Sequence, residues 1–283
     1  MVKIISDSTC DLSKELIEKY DISILPLHIL LGDDEYEDGK NITPDEIYAW
    51  SDKNNATPKT SAAGIMDAVD LMKPYVKEGR EIVFFTISSQ MSTTYNSICL
   101  AADELDAEDL IFPIDSANLS TGIGLMVIEA AIMAKEGKTG AEIVARVEEL
   151  KPLVRSSFVV DTLTYLHRGG RCSGVAAMAG GMLKLHPKIV VENGKMDATK
   201  KYRGKMDMVI RSYVKDLAED MMHAKKDRAF ITHSGCSQEL LDSVRQEVEN
   251  LSVFEEVLEA RAGGVISSHC GPGTLGVLYI AGE

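Results

Sequence analysis

The sequence predicts an α/β protein of two domains, with a Rossmann-like parallel sheet in the first and a mixed sheet in the second. Strand-like and helix-like segments alternate through the first half, which is typical of a parallel sheet covered by helices on both faces. The regular alternation of strand-like and helix-like segments ends at a Lys-Pro pair at 151–152. A hairpin pattern with an Asn-Gly turn at 193–194 follows. We therefore expect domains at 1–155 and 156–283.

The first half is expected to build the parallel sheet. Its strands are predicted where apolar, β-branched and aromatic residues form short runs, at 2–8, 23–31, 81–88 and 110–115. Its helices are predicted where apolar residues recur at helical spacing, at 11–20, 42–50, 62–76, 92–105, 120–137 and 139–150. Thr43 and Glu46 form a capping box with Pro44 at the first helical position. Thr139 and Glu142 start another helix in the same way.

The second half is expected to combine strands with fewer helices. Strands are predicted at 156–162, 228–235, 252–260 and 277–282, and a hairpin at 188–196. Amphipathic helices are predicted at 205–222 and 237–250. Because a hairpin pairs its two strands antiparallel, the sheet of this half is expected to be mixed.

Composition and charge describe a globular chain and argue against two classes of partner. The 283 residues are 45% hydrophobic and 26% charged, which provides enough apolar material for a core in each domain. The net charge of −14 argues against nucleic-acid binding and against docking on an anionic membrane surface. Glu129 interrupts the most apolar helix, so we expect no spanning helix and no stable membrane insertion.

The N-terminal residues and the cysteines suggest a cytoplasmic location. The first apolar run reaches Asp7 too soon for the core of a signal peptide. The five cysteines are scattered singly, without a CxxC pair, and this pattern is typical of reduced thiols. We therefore expect a cytoplasmic protein.

Three loops at the carboxyl ends of predicted strands are the first candidates for a binding site, because ligands of parallel sheets bind there. These loops are rich in Ser, Thr and Asp, and they cover residues 7–11, 88–95 and 115–122. Donors next to helix N-termini favour an anion. The same residue types are also the best N-caps, so each loop taken alone is better explained as capping.

The sequence gives little support for a catalytic triad, a metal site or a nucleotide-binding site. Ser92, His269 and Asp115 could form a catalytic triad only if three distant loops converged, and no GxSxG turn is present. The histidines and cysteine within 167–186 match no metal-ligand spacing. The glycine fingerprints of nucleotide sites are missing as well, so we expect neither a metal nor a cofactor.

Two segments combine charged or titratable side chains with glycine. His269 lies beside three glycines and a proline in SSHCGPGTLG, and a permissive loop of this kind could bring the imidazole to a ligand. Arg168 and Arg171 flank two glycines in HRGGR, which is either a solvated turn or a basic site for a phosphate or a partner. His28 and His233 lie in or next to predicted strands and are expected to be structural.

Six motifs follow one another along the whole chain: IISDSTCDL, PKTSAAG, TISSQMSTTYNSICLAA, IDSANLSTGIGLMV, YLHRGGRCSG and SHCGPGTLGV. Together they resemble the DegV family of bacterial fatty-acid-binding proteins. The resemblance implies a two-domain α/β protein that holds one long-chain fatty acid between its domains. It further implies the acyl-carrying subunit of bacterial fatty acid kinase. In that system a separate catalytic subunit uses ATP to phosphorylate the bound carboxylate, and the acyl phosphate enters phospholipid synthesis.

The resemblance also implies roles for particular residues. In the family, the carboxylate is held by a Thr of the TS motif, a Ser of the SSxxS motif and the His before GPG. The corresponding residues here are Thr60, Ser92 and His269. Their neighbours Ser61 and Thr93 are included in the expected headgroup site.

An arginine of the GGR motif is implicated in the family in docking the kinase, and it corresponds to Arg171. The chain departs from the usual family pattern at Ala62, at Ala63 and at Thr93, which replaces a glycine. It also has Ser-Ser at 267–268 instead of the commoner Gly-Ala. These departures bear on acyl-chain preference and on kinase pairing.

A fatty acid needs an apolar tunnel for its tail and hydrogen bonds for its carboxylate. Segments 124–131 and 178–185 are expected to line the tunnel, in which some of the 13 methionines would fill irregular space. The expected function is a carrier without catalytic residues. Two alternatives remain: an acyl hydrolase or acyltransferase that uses Ser92 and His269, and a lipid sensor that no longer pairs with a kinase.

Overall fold

The computed structural model describes residues 1–172 and 185–282. The predicted tunnel segment at 178–185 therefore lies outside the described residues, except for Leu185. Within the described ranges, no helix is both long enough and apolar enough to cross a membrane.

The predicted helices are present with somewhat different ends, and so are the predicted strands, except that the strand at 23–31 is divided in two. Two short strands, Asp34–Glu37 and Lys59–Ser61, and two short helices, Thr164–Gly169 and Gly264–Cys270, were not predicted. The described strands are β1 (Lys3–Asp7), β2 (Ile22–Leu25), β3 (His28–Leu31), β4 (Asp34–Glu37), β5 (Lys59–Ser61), β6 (Ile82–Thr86), β7 (Ile111–Asp115), β8 (Val154–Val159), β9 (Leu185–Glu192), β10 (Lys195–Arg203), β11 (Ala224–His233), β12 (Glu256–Arg261) and β13 (Leu275–Ala281). The described helices are α1 (Lys14–Tyr20), α2 (Pro44–Asn54), α3 (Ile65–Lys77), α4 (Thr94–Glu104), α5 (Thr121–Lys135), α6 (Gly140–Leu150), α7 (Thr164–Gly169), α8 (Met206–Met221), α9 (Gln238–Glu249) and α10 (Gly264–Cys270).

Strands β1, β2, β6 and β7 form a parallel sheet in the order β2-β1-β6-β7. All residues of β1 and β6 are buried, as expected for central strands covered by helices on both faces. Both predicted capping boxes are present, since the side chains of Thr43 and Thr139 accept hydrogen bonds from the backbone N–H groups of Glu46 and Glu142. The predicted parallel sheet of the first half is confirmed.

A second, three-stranded sheet in the first half was not predicted. Its order is β4-β3-β5, and both pairings are antiparallel. The predicted strand at 23–31 is divided at Pro26, so that β2 joins the parallel sheet and β3 joins the small one. Thr60 lies in the three-residue strand β5, opposite Ile29 of β3.

The second half forms a six-stranded mixed sheet in the order β10-β9-β8-β13-β11-β12. Only β11 and β12 pair in parallel, and the other pairings are antiparallel. The predicted hairpin is β9-β10, and Asn193 and Gly194 both have the positive φ that its tight turn requires. The hairpin tip contacts the first half, because Ser88 Oγ donates a 2.7 Å hydrogen bond to the Gly194 carbonyl. The predicted mixed sheet is confirmed.

Helix α5 packs against strands of both sheets, including β1 and β13, and this position explains its uniformly apolar sequence. Its one charged side chain before the last turn, Glu129, accepts hydrogen bonds from Lys225 Nζ and Arg228 Nη1 of β11. A second apolar core lies on the other face of the mixed sheet, under α8 and α9.

The two halves of the sequence interlock. The predicted domain boundary between residues 155 and 156 falls inside β8, and the division of the chain stays a prediction. Helix α10 follows β12 in sequence, but it packs against α2, β3 and β5 of the first half. Residues from both halves therefore meet around this helix.

Candidate functional site

A cavity of about 450 Å³ opens beyond the carboxyl end of β6, between β5 and α10. Its size is within the range of small-molecule sites, roughly 300–1,000 Å³. The predicted site residues, although far apart in sequence, all line this cavity: Thr60, Ser61, Ser92, Thr93, Arg171 and His269.

His269 lies in the last turn of α10, not in a flexible loop as expected from its glycine-rich surroundings. Its Nε2 is 2.7 Å from Thr60 Oγ1, so the two residues share a hydrogen bond across 209 positions of sequence. Gly271 has a positive φ and ends the helix directly after Cys270. The glycine-rich turn therefore comes after the helix, and the imidazole belongs to the last turn of the helix itself.

Two buried carboxylates hold the N-terminus of α10. Sequence reasoning placed Asp11 in a candidate loop without this role, and it missed Asp38. Asp11 Oδ1 accepts from the Gly263 N–H at 2.8 Å, and Asp38 Oδ1 accepts from the Gly264 N–H at 2.7 Å. The other carboxylate oxygens accept from the hydroxyls of Ser120 and Ser8. Burial raises the pKa of both carboxyl groups. The helix that carries His269 is thus anchored to the first half at its start.

Gly169 packs against the His269 ring and is another residue whose role sequence reasoning missed. A Cβ added at this position would lie 2.4 Å from His269 Nδ1, which is far inside van der Waals contact. Nδ1 itself is buried and has no hydrogen-bond partner among the described residues. The absence of a side chain at Gly169 therefore leaves space for the imidazole. The position of Gly169 in the HRGGR motif was the only feature of the sequence that could have indicated this role.

The His269 imidazole is neutral at physiological pH. Burial is the main cause, and the positive charge of Arg171 acts in the same direction, so that the pKa of His269 is lowered from 6.5 to about 4. A neutral imidazole carries one N–H donor. If Nε2 carries the proton, it donates to Thr60 Oγ1 and leaves the Thr60 hydroxyl proton free for a ligand.

Ser92 and Thr93 lie in the loop between β6 and α4. Ser92 Oγ is 2.9 Å from Thr94 Oγ1 and also accepts from the Thr94 N–H, so the serine bonds to the first residue of α4 as well as lining the cavity. Thr93 is exposed and has a φ of −88°, so this position does not require the glycine that is usual in the family.

The other departures from the family pattern have distinct positions. Ala62 lines the cavity, whereas Ala63 is buried in the core. Ser267 and Ser268 are buried within α10, and Ser267 Oγ donates to the Ala262 carbonyl. Of these four residues, only Ala62 lines the cavity.

Arg171 lies at the mouth of the cavity, where its side chain is largely exposed. Its Nη1 donates to the Gly169 carbonyl at 2.6 Å, and its Nε makes a long contact of 3.5 Å with the Met91 carbonyl. Arg168, on the same turn, donates instead to Thr57 Oγ1 and does not line the cavity. The HRGGR turn therefore connects the second half to two loops of the first.

The geometry does not form the hydrolase triad considered above. Ser92 Oγ bonds to Thr94, and the described contacts of His269 Nε2 lead to Thr60. Asp115 accepts from Ser89 and Ala117 and does not orient the imidazole. Within the described ranges, no group of three His, Cys, Asp or Glu side chains could hold a metal ion.

The two histidines predicted to be structural lie in strands. His233 is buried at the end of β11, where its Nδ1 accepts from the N–H groups of Gly235 and Cys236. These backbone contacts agree with the structural role expected for His233. His28 is half-buried in β3, with Glu35 and Asp67 near its ring nitrogens.

The rest of the cavity wall is mainly apolar, and its large apolar residues are Leu27, Ile87, Met91, Leu119, Met196, Val265 and Ile266. A recess of about 30 Å³ adjoins the cavity, and Leu119, Ile266 and Cys270 line both. The recess extends to Phe158 and Leu278 of the mixed sheet. The predicted tunnel segment at 124–131 does not line this cavity, because α5 lies in the core between the sheets.

The fold and the site define an α/β protein with a parallel and a mixed sheet, and with a cavity lined by hydroxyls, an imidazole and apolar side chains. The family model described as "Uncharacterised protein, DegV family" matches residues 1–282. The chain belongs to the DegV family.

Relatives and solved structures match over nearly the whole chain. A DegV domain-containing protein of Clostridium perfringens is 32% identical, and the match covers 99% of this chain and 98% of the relative. A fatty-acid-binding DegV family protein of Thermus thermophilus is 30% identical, with a TM-score of 0.88 and 99% of each chain covered. A stearic acid-binding protein of Eubacterium ventriosum is also 30% identical, with a TM-score of 0.86 and coverage of 99% and 98%.

Proposed function

We propose that this protein binds one long-chain fatty acid between its two halves and presents the carboxylate to a separate kinase. The observation that carries the proposal is the polarity of the cavity. Hydroxyls of Thr60 and Ser92 and the imidazole of His269 share the cavity wall with apolar side chains, and Leu119, Ile266 and Cys270 also line the recess beside the mixed sheet. Solved relatives described as fatty-acid-binding proteins support this reading.

The apolar wall supplies most of the affinity. A buried methylene contributes about 0.8 kcal/mol, so a sixteen-carbon tail offers on the order of 10 kcal/mol as an upper bound. Met91 and Met196 line the cavity, and their flexible side chains can adapt to a tail that bends.

The headgroup residues offset the cost of burying a carboxylate. The hydroxyls of Thr60 and Ser92 can each donate one hydrogen bond to it, and neutral His269 can donate from Nε2 to Thr60 or to the ligand. A carboxylate held by neutral donors keeps most of its negative charge, whereas a buried lysine would form a tight ion pair. The bound carboxylate therefore remains nucleophilic.

The kinase step follows from that nucleophilicity. A carboxylate oxygen attacks the γ-phosphorus of ATP held by the partner, and a new C–O–P linkage forms. The bond from the γ-phosphorus to its bridging oxygen breaks, and ADP leaves with the electron pair. In this scheme Arg171, at the cavity mouth, docks the kinase, and the protein has no catalytic residue of its own.

Mass spectrometry of the purified protein under denaturing conditions tests fatty-acid binding directly. We expect about one long-chain fatty acid per wild-type chain, and a sharply lower content for His269→Ala. His223→Ala is the matched control, because His223 is exposed and does not line the cavity. Equal lipid content in wild type and His269→Ala, or no fatty acid in the wild type, would contradict the proposal.

A second assay separates a carrier from an acyl hydrolase or acyltransferase. Incubation with 4-nitrophenyl palmitate should give no burst of nitrophenol and no adduct on Ser92, because Ser92 has no hydrogen bond to His269. With ATP and a fatty acid kinase catalytic subunit, hydroxylamine should trap the acyl phosphate as a hydroxamate. A burst without the kinase would favour the enzyme alternative instead.

A further inference from the structure

The β9-β10 hairpin contributes to the walls of two separate cavities. Met196 lines the ligand cavity, whereas Val191 lines a second cavity of about 610 Å³. Among the described residues, none lines both. The hairpin tip contacts both walls, because a Cβ added at Gly194 would lie 3.2 Å from Gln90 Cγ of the first and 3.7 Å from Ala117 Cα of the second. The second cavity is therefore distinct from the fatty-acid site proposed above.

The second cavity opens where two neighbouring strands of the mixed sheet separate. The ladder between β8 and β9 ends at the pair Ser156 and Val191, so the first two residues of β8, Val154 and Arg155, have no partner in β9. All four residues line the cavity. Arg155 and Ser156 lie on opposite faces of the sheet, because successive side chains of a strand alternate. A ligand in this gap could therefore contact both faces at once.

On one face, Ser156 brings a buried hydroxyl without a hydrogen-bond partner. The residue is 2% exposed, and its Oγ has no partner in the part of the chain that the structure describes. Asn118 lies beside it, since a Cβ added at Gly122 would lie 2.4 Å from Ser156 Oγ and 2.2 Å from Asn118 Oδ1. Asn118 is also buried and lines the same cavity. An unpaired buried hydroxyl destabilises the folded protein, and a ligand with a polar group would satisfy it.

On the other face, Lys188 brings a half-buried cation. Its Nζ lies 5.8 Å from the centre of the Tyr213 ring, and among the described residues no carboxylate is within salt-bridge distance of it. Burial lowers the pKa of Lys188, even though the charges of Asp216 and Asp220 act in the opposite direction. Both carboxylates have partners already, because each accepts a hydrogen bond from a tyrosine hydroxyl. The ammonium group is thus partly desolvated and remains available for an anion.

Arg155 lies on the same face of the sheet as Lys188. Lys188 is opposite Val159 in the ladder, and Val159 is four residues from Arg155, so the three side chains share a face. The Arg155 guanidinium donates through Nη1 to the Pro152 carbonyl at 2.9 Å, and its Nε is 4.0 Å from Asp220. Arg155 therefore keeps donors for a ligand. Two cations with free donors favour an anion of more than one charge, and a phosphate group is such an anion.

The acidic side chains of the wall have other partners or face solvent. Glu148 pairs with Lys151 at 2.9 Å, and Asp220 accepts from a tyrosine hydroxyl. Glu192 is exposed on the hairpin. An exposed carboxylate of this kind can accept hydrogen bonds from ligand hydroxyls. The favoured ligand is thus anionic in one part and carries hydroxyls in another.

We propose that the second cavity binds a small phosphorylated polyol or sugar, with its phosphate on Lys188 and Arg155 and its hydroxyls on Ser156 and Asn118. The volume of about 610 Å³ is within the range of small-molecule sites, roughly 300–1,000 Å³. The inference does not depend on the proposed function, since these four residues do not line the fatty-acid cavity.

Glucose 6-phosphate is the probe, and glucose and inorganic phosphate each carry one part of its chemistry. NMR titration of the isotope-labelled protein gives the dissociation constant and the residues affected. We expect saturable binding of glucose 6-phosphate with the largest shift changes at 154–157 and 190–193, weaker binding of inorganic phosphate, and no measurable binding of glucose. Shift changes confined to the ligand cavity around Thr60 and His269, or no saturation at millimolar concentration, would overturn the inference.

Substitution of the two cations tests the phosphate contact. Lys188→Met and Arg155→Met should each weaken binding of glucose 6-phosphate by about tenfold or more, which corresponds to about 1.4 kcal/mol. Lys201→Met is the matched control and should change nothing, because Lys201 is exposed on β10 and lines neither cavity. Thermal unfolding shows whether a lost affinity comes from lost structure, and Lys188→Gln provides the binding result if Lys188→Met is unstable. Equal affinity in the wild type and the Lys188 variants would overturn the inference.

Ser156→Ala separates a ligand contact from a structural role. The hydroxyl has no described partner to lose, so its removal should not lower the unfolding temperature of the protein without ligand. It should weaken binding of glucose 6-phosphate and leave binding of inorganic phosphate unchanged, because only the sugar reaches Ser156. A lower unfolding temperature together with unchanged affinity for glucose 6-phosphate would show that the hydroxyl is structural, against the inference.

Discussion

We expect the replacement of Gly169 by alanine to weaken ligand binding, because the added methyl group would displace the His269 imidazole from Thr60. The new Cβ would lie 2.4 Å from His269 Nδ1, and ordinary contact begins at 3.4 Å, so the imidazole must move by about 1 Å. A hydrogen bond of 2.7 Å between Nε2 and Thr60 does not survive a displacement of that size. Overpacking of this kind costs about 1–3 kcal/mol, and we expect palmitate binding to weaken by about tenfold or more.

The matched control for this substitution is the adjacent glycine. Gly170 has a φ of +67° and no atom within 4 Å of an added Cβ, so Gly170→Ala strains the backbone without touching the imidazole. We expect Gly170→Ala to lower the unfolding temperature and to keep its affinity for palmitate, and Gly169→Ala to lose affinity. Calorimetric titration with palmitate and thermal unfolding give both quantities. If Gly169→Ala binds palmitate as tightly as Gly170→Ala, the packing argument is wrong.

Three further predictions concern the neighbours of His269 and the ring itself. Thr60→Val removes the hydroxyl at constant shape and should reduce co-purified fatty acid, whereas Thr60→Ser should retain it; equal lipid content in the two would refute a headgroup role. Asp38→Ala leaves the Gly264 N–H unpaired and should lower the free energy of unfolding by about 2 kcal/mol in urea titrations, while the exposed Asp70→Ala should change it little. Between pH 6.5 and about 4, the unfolded chain binds a proton that folded His269 does not, so stability from this group is complete above pH 6.5 and falls as the pH falls. His269→Gln should therefore lose less stability than the wild type on acidification, by up to about 3 kcal/mol, and parallel curves would contradict the low pKa.

The elements that local patterns specify were predictable from the sequence. The capping box at Thr43 and Glu46 starts α2 as expected, and Asn193-Gly194 turns the hairpin as expected. The loop after β6 faces a cavity as predicted, because the carboxyl ends of parallel strands collect ligand sites. Local hydrogen bonds and periodic apolar residues determine these features, so each feature can be predicted from its own short segment of the sequence.

The elements that tertiary contacts specify were not predictable. Helix α10 begins with glycine and has no side-chain cap of its own, and its N–H groups are satisfied by Asp11 and Asp38, more than 220 residues away. Strand β5 has three residues and forms only because β3 offers a free edge. The contact of Gly169 with His269 could not be predicted either, because a glycine has no side chain whose size or polarity would indicate what packs against it.

The hydrogen bond between Thr60 and His269 also has a consequence for biosynthesis. Its two partners are separated by 209 positions, and α10 is the last helix of the described chain. A polypeptide still on the ribosome has Thr60 and Ser92 early, but the imidazole that bonds to Thr60 is translated 209 positions later. If the proposed function is correct, a nascent chain that has not reached His269 lacks one of the three groups that hold the carboxylate.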